Sequence, residues 1–211
     1  MNDRYYTVRG LGQAEVEISR SRFIAYVSPA ATEDAALTFI EKIRKQHWDA
    51  THNCSAYIVG DNDGFQKGDD DGEPSGTAGR PMLEVIKKLN VKDTVVVVTR
   101  YFGGIKLGAG GLVRAYSKSA AAGLEAAGVV ERRLHTALAV TISYGLLGTV
   151  ENQLRGHDYC IIDKQFAETV IIVCLVPTGS EETVKKKLAD WTSGQAETAE
   201  QGQMYVDMSQ S

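Results

Sequence analysis

The glycine-rich segment from Arg100 to Lys118, RYFGGIKLGAGGLVRAYSK, most strongly limits how this chain folds. It follows the β-branched run Thr94–Thr99, which is typical of a strand buried on both faces, and it leads into a helix-forming stretch over Gly111–Ala127. Glycine costs backbone entropy, so five glycines in one turn indicate that the backbone lies close to another group. A helix that begins after such a turn offers unpaired N–H groups to an anion. The segment therefore predicts a pre-formed site for phosphate or another anion.

We expect this site to consist of the cations and glycines of the segment. They are Arg100, Gly103, Gly104, Lys106, Gly108, Gly110, Gly111, Arg114 and Lys118. The turn matches neither the phosphate-binding loop that ends in Gly-Lys-Ser/Thr nor the dinucleotide-binding spacing of glycines, so both common nucleotide fingerprints are excluded. A tight turn, backbone packing, a hinge and a partner contact are the alternatives to anion binding. Tyr101, Phe102 and Tyr116 are compatible with stacking on single-stranded bases, with core packing as the alternative.

A second polar loop, Gly68–Gly79 (GDDDGEPSGTAG), is too polar and glycine-rich for a core element. The candidate site residues in and after it are Asp70, Asp71, Glu73, Ser75, Gly76, Thr77 and Arg80. Carboxylates suit Mg²⁺ or Ca²⁺, but their spacing does not fit an EF-hand loop. A solvated acidic turn and ion pairs with the basic face are the alternatives, and we assign no metal and no cofactor. We expect Ser75 or Thr77 to cap the helix that starts at Arg80-Pro81.

His52 is a further candidate because it alternates with Cys54 along a strand-like run, so both side chains face the same side. A Cys–His pair suggests a nucleophile, but the sequence offers no orienting acid, and we assign no catalytic residue. The chain has three cysteines, and their spacing fits neither a disulfide framework nor a zinc site.

Charge is distributed unevenly along the 211 residues. Residues 1–133 hold 18 Lys/Arg and 17 Asp/Glu, whereas residues 134–211 hold 5 and 10. Six acids of the first part lie between Asp61 and Glu73, so the rest of it is basic and is compatible with a nucleic-acid-binding face. No apolar stretch approaches the ~20 residues of a membrane span, and no N-terminal signal is visible. We therefore expect a cytoplasmic protein without a membrane partner.

The order of predicted elements indicates two domains, 1–133 and 134–211. In the first we expect three strands, a helix with Thr32 at its N-cap, a strand over Cys54–Val59 and a helix from Pro81. In the second the pattern is β-α-β-β-α-β, which is the ferredoxin-like split motif. Its expected elements are Leu134–Ser143, Leu146–Arg155, Tyr159–Lys164, Thr169–Val176, Glu181–Trp191 and Met204–Met208.

Three sequence blocks resemble the IMPACT/YigZ family. They are HNCSAY at 52–57, DDDGEPSGTAGRPMLEVI at 69–86 and VVVVTRYFGGIKLGAGGLVRAYS at 95–117, and the resemblance extends over about residues 15–130. It implies an α+β protein whose first domain is similar to the second domain of a small-subunit ribosomal protein and to domain IV of elongation factor G. The second domain is similar to domain V of that factor. Eukaryotic relatives regulate translation, but through an additional domain that this pattern does not include.

Three functions follow as hypotheses. The first is a non-enzymatic cytoplasmic protein that binds RNA or the ribosome through the glycine-rich basic loop and regulates translation. The second is a metal-dependent enzyme acting on a small phosphorylated or peptide substrate, an option that the glycine-rich phosphate loop of the similarly folded GHMP kinases keeps open by analogy. The third is a protein-interaction module whose acidic second domain binds a protein partner. The sequence favours the first and leaves catalysis open.

Overall fold

The computed structural model describes residues 3–60 and 64–208, which pack as two units. The first unit is Tyr5–Glu131, and the second is residues 3–4 together with Arg132–Met208. Each unit contains an antiparallel sheet and a hydrophobic core of its own, so the protein is of the α+β class. The chain passes between the units after Arg4, in the strand Arg4–Val8, and after Glu131, in the strand Val129–Ile142.

The first unit is a five-stranded sheet with helices on both faces. Its elements are β1 (Arg4–Val8, which begins one residue before the unit), β2 (Gly12–Ile18), β3 (Ser21–Pro29), α1 (Glu33–Gln46), β4 (His52–Val59), β5 (Phe65–Asp69), α2 (Gly79–Lys88), β6 (Thr94–Tyr101) and α3 (Gly108–Ala127). The sheet order is β2-β3-β6-β4-β5. The sequence predicts all of these except β5, of which only Gly68 and Asp69 fall within the predicted polar loop Gly68–Gly79.

β6 lies at the centre of this sheet because both of its faces are apolar. Val96 and Val98 pack into the core beneath α2 and α3, whereas Val95 and Val97 pack into the core beneath α1. This alternation confirms the prediction that the run Thr94–Thr99 is buried on both faces. It also places α3 on the opposite face of the sheet from α1.

Local sequence signals explain where the helices begin. Thr32 caps α1, as predicted, and its hydroxyl accepts a hydrogen bond from the N–H of Ala35 at 3.2 Å. The core contacts of α3 include Tyr116, Ala120 and Leu124. These three residues extend from Leu112 at intervals of four residues, which is one face of a helix.

The second unit has the predicted β-α-β-β-α-β order of elements. After β7 (Val129–Ile142) and a short 3-10 turn come α4 (Leu147–Gly156), β8 (Cys160–Phe166), β9 (Val170–Pro177), α5 (Glu181–Thr192) and β10 (Glu197–Met208). In this second sheet, strands β1, β7, β9 and β8 pair in that order, and β10 also pairs with β7. Leu138, Ile172 and Leu188 are among the fully buried side chains of its core. Across the described part of both units, no helix combines the length and the apolar character that a membrane crossing requires.

Candidate functional site

The turn between β6 and α3 uses its first glycine for packing within the protein. A Cβ at Gly103 would overlap the carbonyl oxygen of Arg20, in the turn between β2 and β3. The N–H of Gly103 also donates to the hydroxyl of Ser21 at 3.1 Å. Gly103 therefore fits against the chain itself, and the alternative of backbone packing accounts for this position. Gly108 differs, since its φ of +67° is a conformation that favours glycine and no atom lies near its Cβ position.

The N-terminus of α3 is open. The helix begins at Gly108 after Leu107, with no side-chain hydrogen bond at the cap and no acidic residue in its first turn. Gly108, Ala109 and Gly110 are exposed. The first N–H groups of a helix have no partner within the helix, and the helix dipole adds partial positive charge there. This end of α3 can therefore accept an anion.

Three of the four predicted cations remain exposed near this helix end or along the same helix. Lys106, Arg114 and Lys118 are exposed, and we find no ion pair for them within residues 3–60 and 64–208. The Arg114 guanidinium lies 3.6 Å from the Cβ position of Gly110, so it lies beside the first turn. Lys118 follows one turn later on the same face, about 6 Å along the axis. The N-terminus of α3 forms a basic face together with Lys106, Arg114 and Lys118, and we call this surface the α3 basic face.

Arg100 does not belong to that exposed face. It is 5% exposed, and its Nη1 lies 2.6 Å from Oε1 of Glu73. The hydroxyl of Tyr116 donates to the same oxygen at 2.8 Å, and Tyr116 is fully buried. The expectation that Tyr116 stacks on a base was therefore wrong, because the residue packs in the core. A buried arginine needs an acidic partner, and Glu73 supplies it.

Tyr101 is also engaged within the protein. Its hydroxyl donates to Asp49 at 3.1 Å and lies 2.9 Å from Nδ1 of His47. Its neighbour Phe102, by contrast, is 46% exposed. The aromatic ring that this turn offers for stacking is therefore Phe102 rather than Tyr101.

The acids of the loop before α2 form hydrogen bonds and ion pairs within the protein. The carboxylate of Asp70 accepts hydrogen bonds from the N–H groups of Gly76 at 2.7 Å, Ala78 at 3.0 Å and Gly79 at 2.8 Å. Burial alone would raise the pKa of this carboxyl, but these bonds outweigh it, so the pKa of Asp70 lies below its ordinary value of 3.8. Asp70 thus occupies the N-terminus of α2.

Capping of α2 by Ser75 or Thr77 was therefore a wrong expectation. The residue before the helix is Ala78, which makes no side-chain cap, and the hydroxyl of Thr77 donates to the Pro74 carbonyl at 2.6 Å. Arg80 and Gly76 line a separate groove of about 520 Å³ between α2 and α3. These residues do not contact the pocket described below.

The other acids of the loop have separate partners. Asp71 accepts from the backbone N–H of Asn53 at 2.6 Å, and Asp69 pairs with Arg44 at 2.9 Å. Glu73 pairs with Arg100. Among residues 3–60 and 64–208, no three side chains of the metal-ligating types are grouped so that they could hold an ion. Ion pairing was one of the alternatives for this loop, and Asp69 and Glu73 form such pairs within the protein.

His52 and Cys54 face the same side of β4, but they lie in different environments. Cys54 is fully buried, its sulfur lies 3.3 Å from the Tyr116 hydroxyl, and burial raises the pKa of its thiol. It is therefore unsuited to act as a nucleophile. His52 is partly exposed; its Nδ1 lies 2.8 Å from the carbonyl oxygen of Asp71, and its Nε2 lies 3.8 Å from Oε2 of Glu73.

A pocket of about 360 Å³ brings several of these residues together. Its polar lining includes His52 from β4, Glu73 from the acidic loop, Arg100 from β6, Lys106 from the turn and the start of α3 at Gly108. The apolar lining includes Pro74, Phe102, Leu107 and Leu112. Ligand pockets commonly have volumes of about 300–1,000 Å³ and combine apolar walls with a few polar groups. The sequence named these polar residues and, with core packing as the alternative, Phe102, whose exposure depends on the fold of the turn.

Comparison with known proteins adds the following similarities. A family model described as the Impact N-terminal domain matches residues 19–124, and a second model, described as a domain of unknown function (DUF1949), matches residues 140–195. IMPACT family member YvyE of Bacillus subtilis (strain 168) is 48% identical over 203 residues, which cover 96% of this chain and 94% of that protein. IMPACT family member YigZ of Escherichia coli (strain K12) is 36% identical over 180 residues, covering 84% and 88%.

A solved structure described as the crystal structure of a hypothetical protein also resembles the chain. It has a TM-score of 0.61 and 31% sequence identity, and the similarity covers 94% of this chain and 97% of that one. The similarity therefore includes both units.

Proposed function

The chain belongs to the IMPACT family, and from this premise we propose that it is a cytoplasmic regulator of translation that binds RNA, on the ribosome, through the α3 basic face. The observation that carries this proposal is the open N-terminus of α3, with its uncapped N–H groups beside the exposed cations Lys106, Arg114 and Lys118. Helix N-termini bind phosphate, and exposed lysines and arginines add attraction for a polyanion.

The internal pairing of the acidic loop supports this function. Asp69 pairs with Arg44, Asp70 accepts from backbone N–H groups and Glu73 pairs with Arg100, so these acids have partners within the protein. The exposed lysines and arginine of the α3 basic face then set the local charge, although the whole chain carries a net charge of −4. A basic face on an acidic protein is sufficient for RNA binding because electrostatic attraction depends on the local charge.

The fold is compatible with the same proposal. In the second unit β10 pairs with β7, β7 with β9 and β9 with β8, as in a ferredoxin-like split motif. We propose that this unit is similar to domain V of elongation factor G and that the first unit is similar to its domain IV, as the family resemblance implies. Two domains related to those of a ribosome-binding factor support a function on the ribosome.

The alternatives receive less support. A metal-dependent enzyme needs grouped ligands, and the acids of the loop have other partners. An enzyme without a metal would have to rely on His52 and Glu73 in the pocket. A protein-interaction module would use the acidic second unit. Proteins that co-purify with this protein from cells would reveal its partner.

Binding to single-stranded RNA and to ribosomes at 50 and 200 mM salt tests the proposal. Three phosphate contacts predict a loss of affinity for single-stranded RNA of about 20-fold between these concentrations, since each contact contributes about −0.7 to the slope of log K against log salt. The double variant Arg114→Ala/Lys118→Ala should bind more weakly and with a slope reduced by about 1.4.

A matched control is Lys42→Ala/Lys45→Ala, which removes the same charge from exposed positions of α1, on the opposite face of the sheet. It should bind RNA with the unchanged slope. If both double variants retain the slope and affinity of the native protein, the α3 basic face does not bind RNA.

A further inference from the structure

The pocket at the start of α3 contains a buried carboxylate with a free oxygen. Glu73 is 7% exposed, and its Oε1 accepts the hydrogen bonds from both Arg100 and Tyr116. For Oε2 we find no hydrogen bond within residues 3–60 and 64–208, and its neighbour is Nε2 of His52 at 3.8 Å. Glu73 lines the pocket and Oε2 is not one of its buried atoms, so this oxygen is accessible and can accept a hydrogen bond from a donor group of a ligand.

The second polar group in the same pocket also has unused hydrogen-bonding capacity. Arg100 has five N–H donors, and its hydrogen bond to Glu73 uses Nη1. Its Nε is buried and has no partner in the described part of the chain. Arg100 lies over the ring of Phe102, with 5.4 Å between the guanidinium carbon and the ring centroid. The pocket thus contains an ion pair with unused hydrogen-bonding atoms next to an exposed aromatic ring.

The opposite side of the pocket suits an anion. Gly108 and Ala109 bring the open N-terminus of α3 into the lining, and Lys106 adds a positive charge. A ligand for this pocket therefore has an anionic group, a flat or apolar body and a hydrogen-bond donor. A nucleoside monophosphate combines these three properties, and a volume of about 360 Å³ lies within the usual range for a small ligand.

We infer that this pocket holds one unpaired nucleotide, with its phosphate at the N-terminus of α3 beside Lys106, its base against Phe102 and an amino group of the base donating to Oε2 of Glu73. The inference rests on the proposed RNA binding and adds a site to it. The nucleotide belongs to a single-stranded RNA or is a free nucleoside monophosphate, and these two sources share the same chemistry. Stacking on an aromatic ring and hydrogen bonding to a carboxylate are the usual means by which proteins recognise unpaired bases.

Titration of the full chain with AMP, CMP, GMP, UMP and inorganic phosphate tests the site. The three amino-bearing nucleotides should bind more tightly than UMP, whose base donates only through its ring N3–H and has no exocyclic amino group for Glu73. Phe102→Ala should weaken their binding about tenfold, since stacking on one aromatic ring contributes that order of affinity. Lys45→Ala, which removes an exposed cation on α1, is the control and should bind nucleotides as the native protein does.

Glu73→Gln should reduce the preference for amino-bearing bases over uracil. Because Glu73 forms a buried ion pair, the unfolding curve of this variant is recorded before its binding is compared. Phe102 is half-exposed, so the Phe102→Ala variant provides a second test that depends less on folding. Nucleotides that bind no more tightly than inorganic phosphate, or a Phe102→Ala variant with unchanged affinity, would overturn the inference.

Two RNA ligands separate this inference from the proposed function. A single-stranded oligonucleotide should bind more tightly than a fully paired duplex of the same length and should compete with AMP. If both RNAs bind equally and binding still requires Arg114 and Lys118, the proposed function holds and the pocket assignment is wrong. If AMP binds and neither RNA does, the pocket takes free nucleotides and the proposed RNA binding is wrong.

Discussion

A glutamate at position 110 should make the protein more stable and, at the same time, less able to bind RNA. Gly110 is the third residue of α3 and is exposed, and among residues 3–60 and 64–208, apart from its own turn of backbone, the atom within 4 Å of its Cβ position is Nη1 of Arg114 at 3.6 Å. A side chain fits there without displacing the backbone. The substitution Gly110→Glu therefore introduces a carboxylate at the helix end where we place the phosphate.

Three effects should raise the free energy of unfolding of this variant. Replacing glycine by a good helix former contributes about 0.5 kcal/mol near a helix end. A negative charge in the first turn contributes about 0.3–1 kcal/mol through the helix dipole, and pairing with Arg114 four residues later contributes about 0.3 kcal/mol. We expect a total of about 1–2 kcal/mol, which corresponds to a rise in Tm of about 2–8 °C for a protein of this size.

The same carboxylate should weaken RNA binding about tenfold at 50 mM salt. It repels a phosphate at the N-terminus of α3 and neutralises Arg114, and two like charges about 4 Å apart at a protein surface repel by 1–4 kcal/mol. Unfolding in urea and fluorescence anisotropy with a labelled single-stranded RNA measure the two effects. Gly110→Gln is the control, because it has the same shape without the charge.

The opposite signs of the two effects make this test specific. A variant that bound weakly because it was damaged would also be less stable. If Gly110→Glu is stabilised as expected but binds RNA as tightly as Gly110→Gln, phosphate does not bind at this end of α3.

Three further predictions concern the fold around the site. Asp70→Ala should lower the free energy of unfolding by about 2–3 kcal/mol, because three N–H groups at the start of α2 lose a charged acceptor; chemical denaturation at pH 7 measures this. Because the pKa of Asp70 is lowered by folding, its contribution is complete above the ordinary value of 3.8 and is lost as the pH falls through the folded value, so the native and variant proteins should converge in stability in acid. Burial lowers the pKa of His47 below its ordinary 6.5, so a titration followed by NMR should show this ring more than half neutral at pH 6.5, and a midpoint above 6.5 would contradict its burial. Gly103→Ala should destabilise the protein by at least about 2 kcal/mol, because its methyl group overlaps the Arg20 carbonyl, and near-native stability would show that the turn adjusts.

Much of the fold could be predicted because its signals are local. The valine run of β6, the N-cap of α1 and the element order of the second unit depend on neighbouring residues. β5 could not be predicted in this way. Its residues are mostly exposed and polar, and it forms by pairing with the edge of β4, from Ser55 opposite Asp69 to Val59 opposite Phe65. Tertiary pairing outweighs low intrinsic strand propensity in such a strand.

The candidate site was predictable in its residues but not in their roles. Arg100 ends a strand that is buried on both faces, and this signal alone predicts a buried arginine that requires an acid. Its partner, Glu73, is 27 residues earlier in the chain, and only the fold shows that the two meet. Tyr116 likewise lies four residues from Leu112 and from Ala120, so helical periodicity indicates a buried position.

The proposed RNA binding depends most on the N–H groups at the start of α3, and the NMR signals of these amides can be followed directly. A titration of the ¹⁵N-labelled protein with single-stranded RNA at 50 mM salt should shift the amide signals of Gly108, Ala109 and Gly110 first and by the largest amounts. In the Gly110→Glu variant, the shifts of the two unchanged residues, Gly108 and Ala109, should be much smaller. RNA binding that leaves the signals of Gly108 and Ala109 unchanged and shifts those of other surfaces would contradict the central claim.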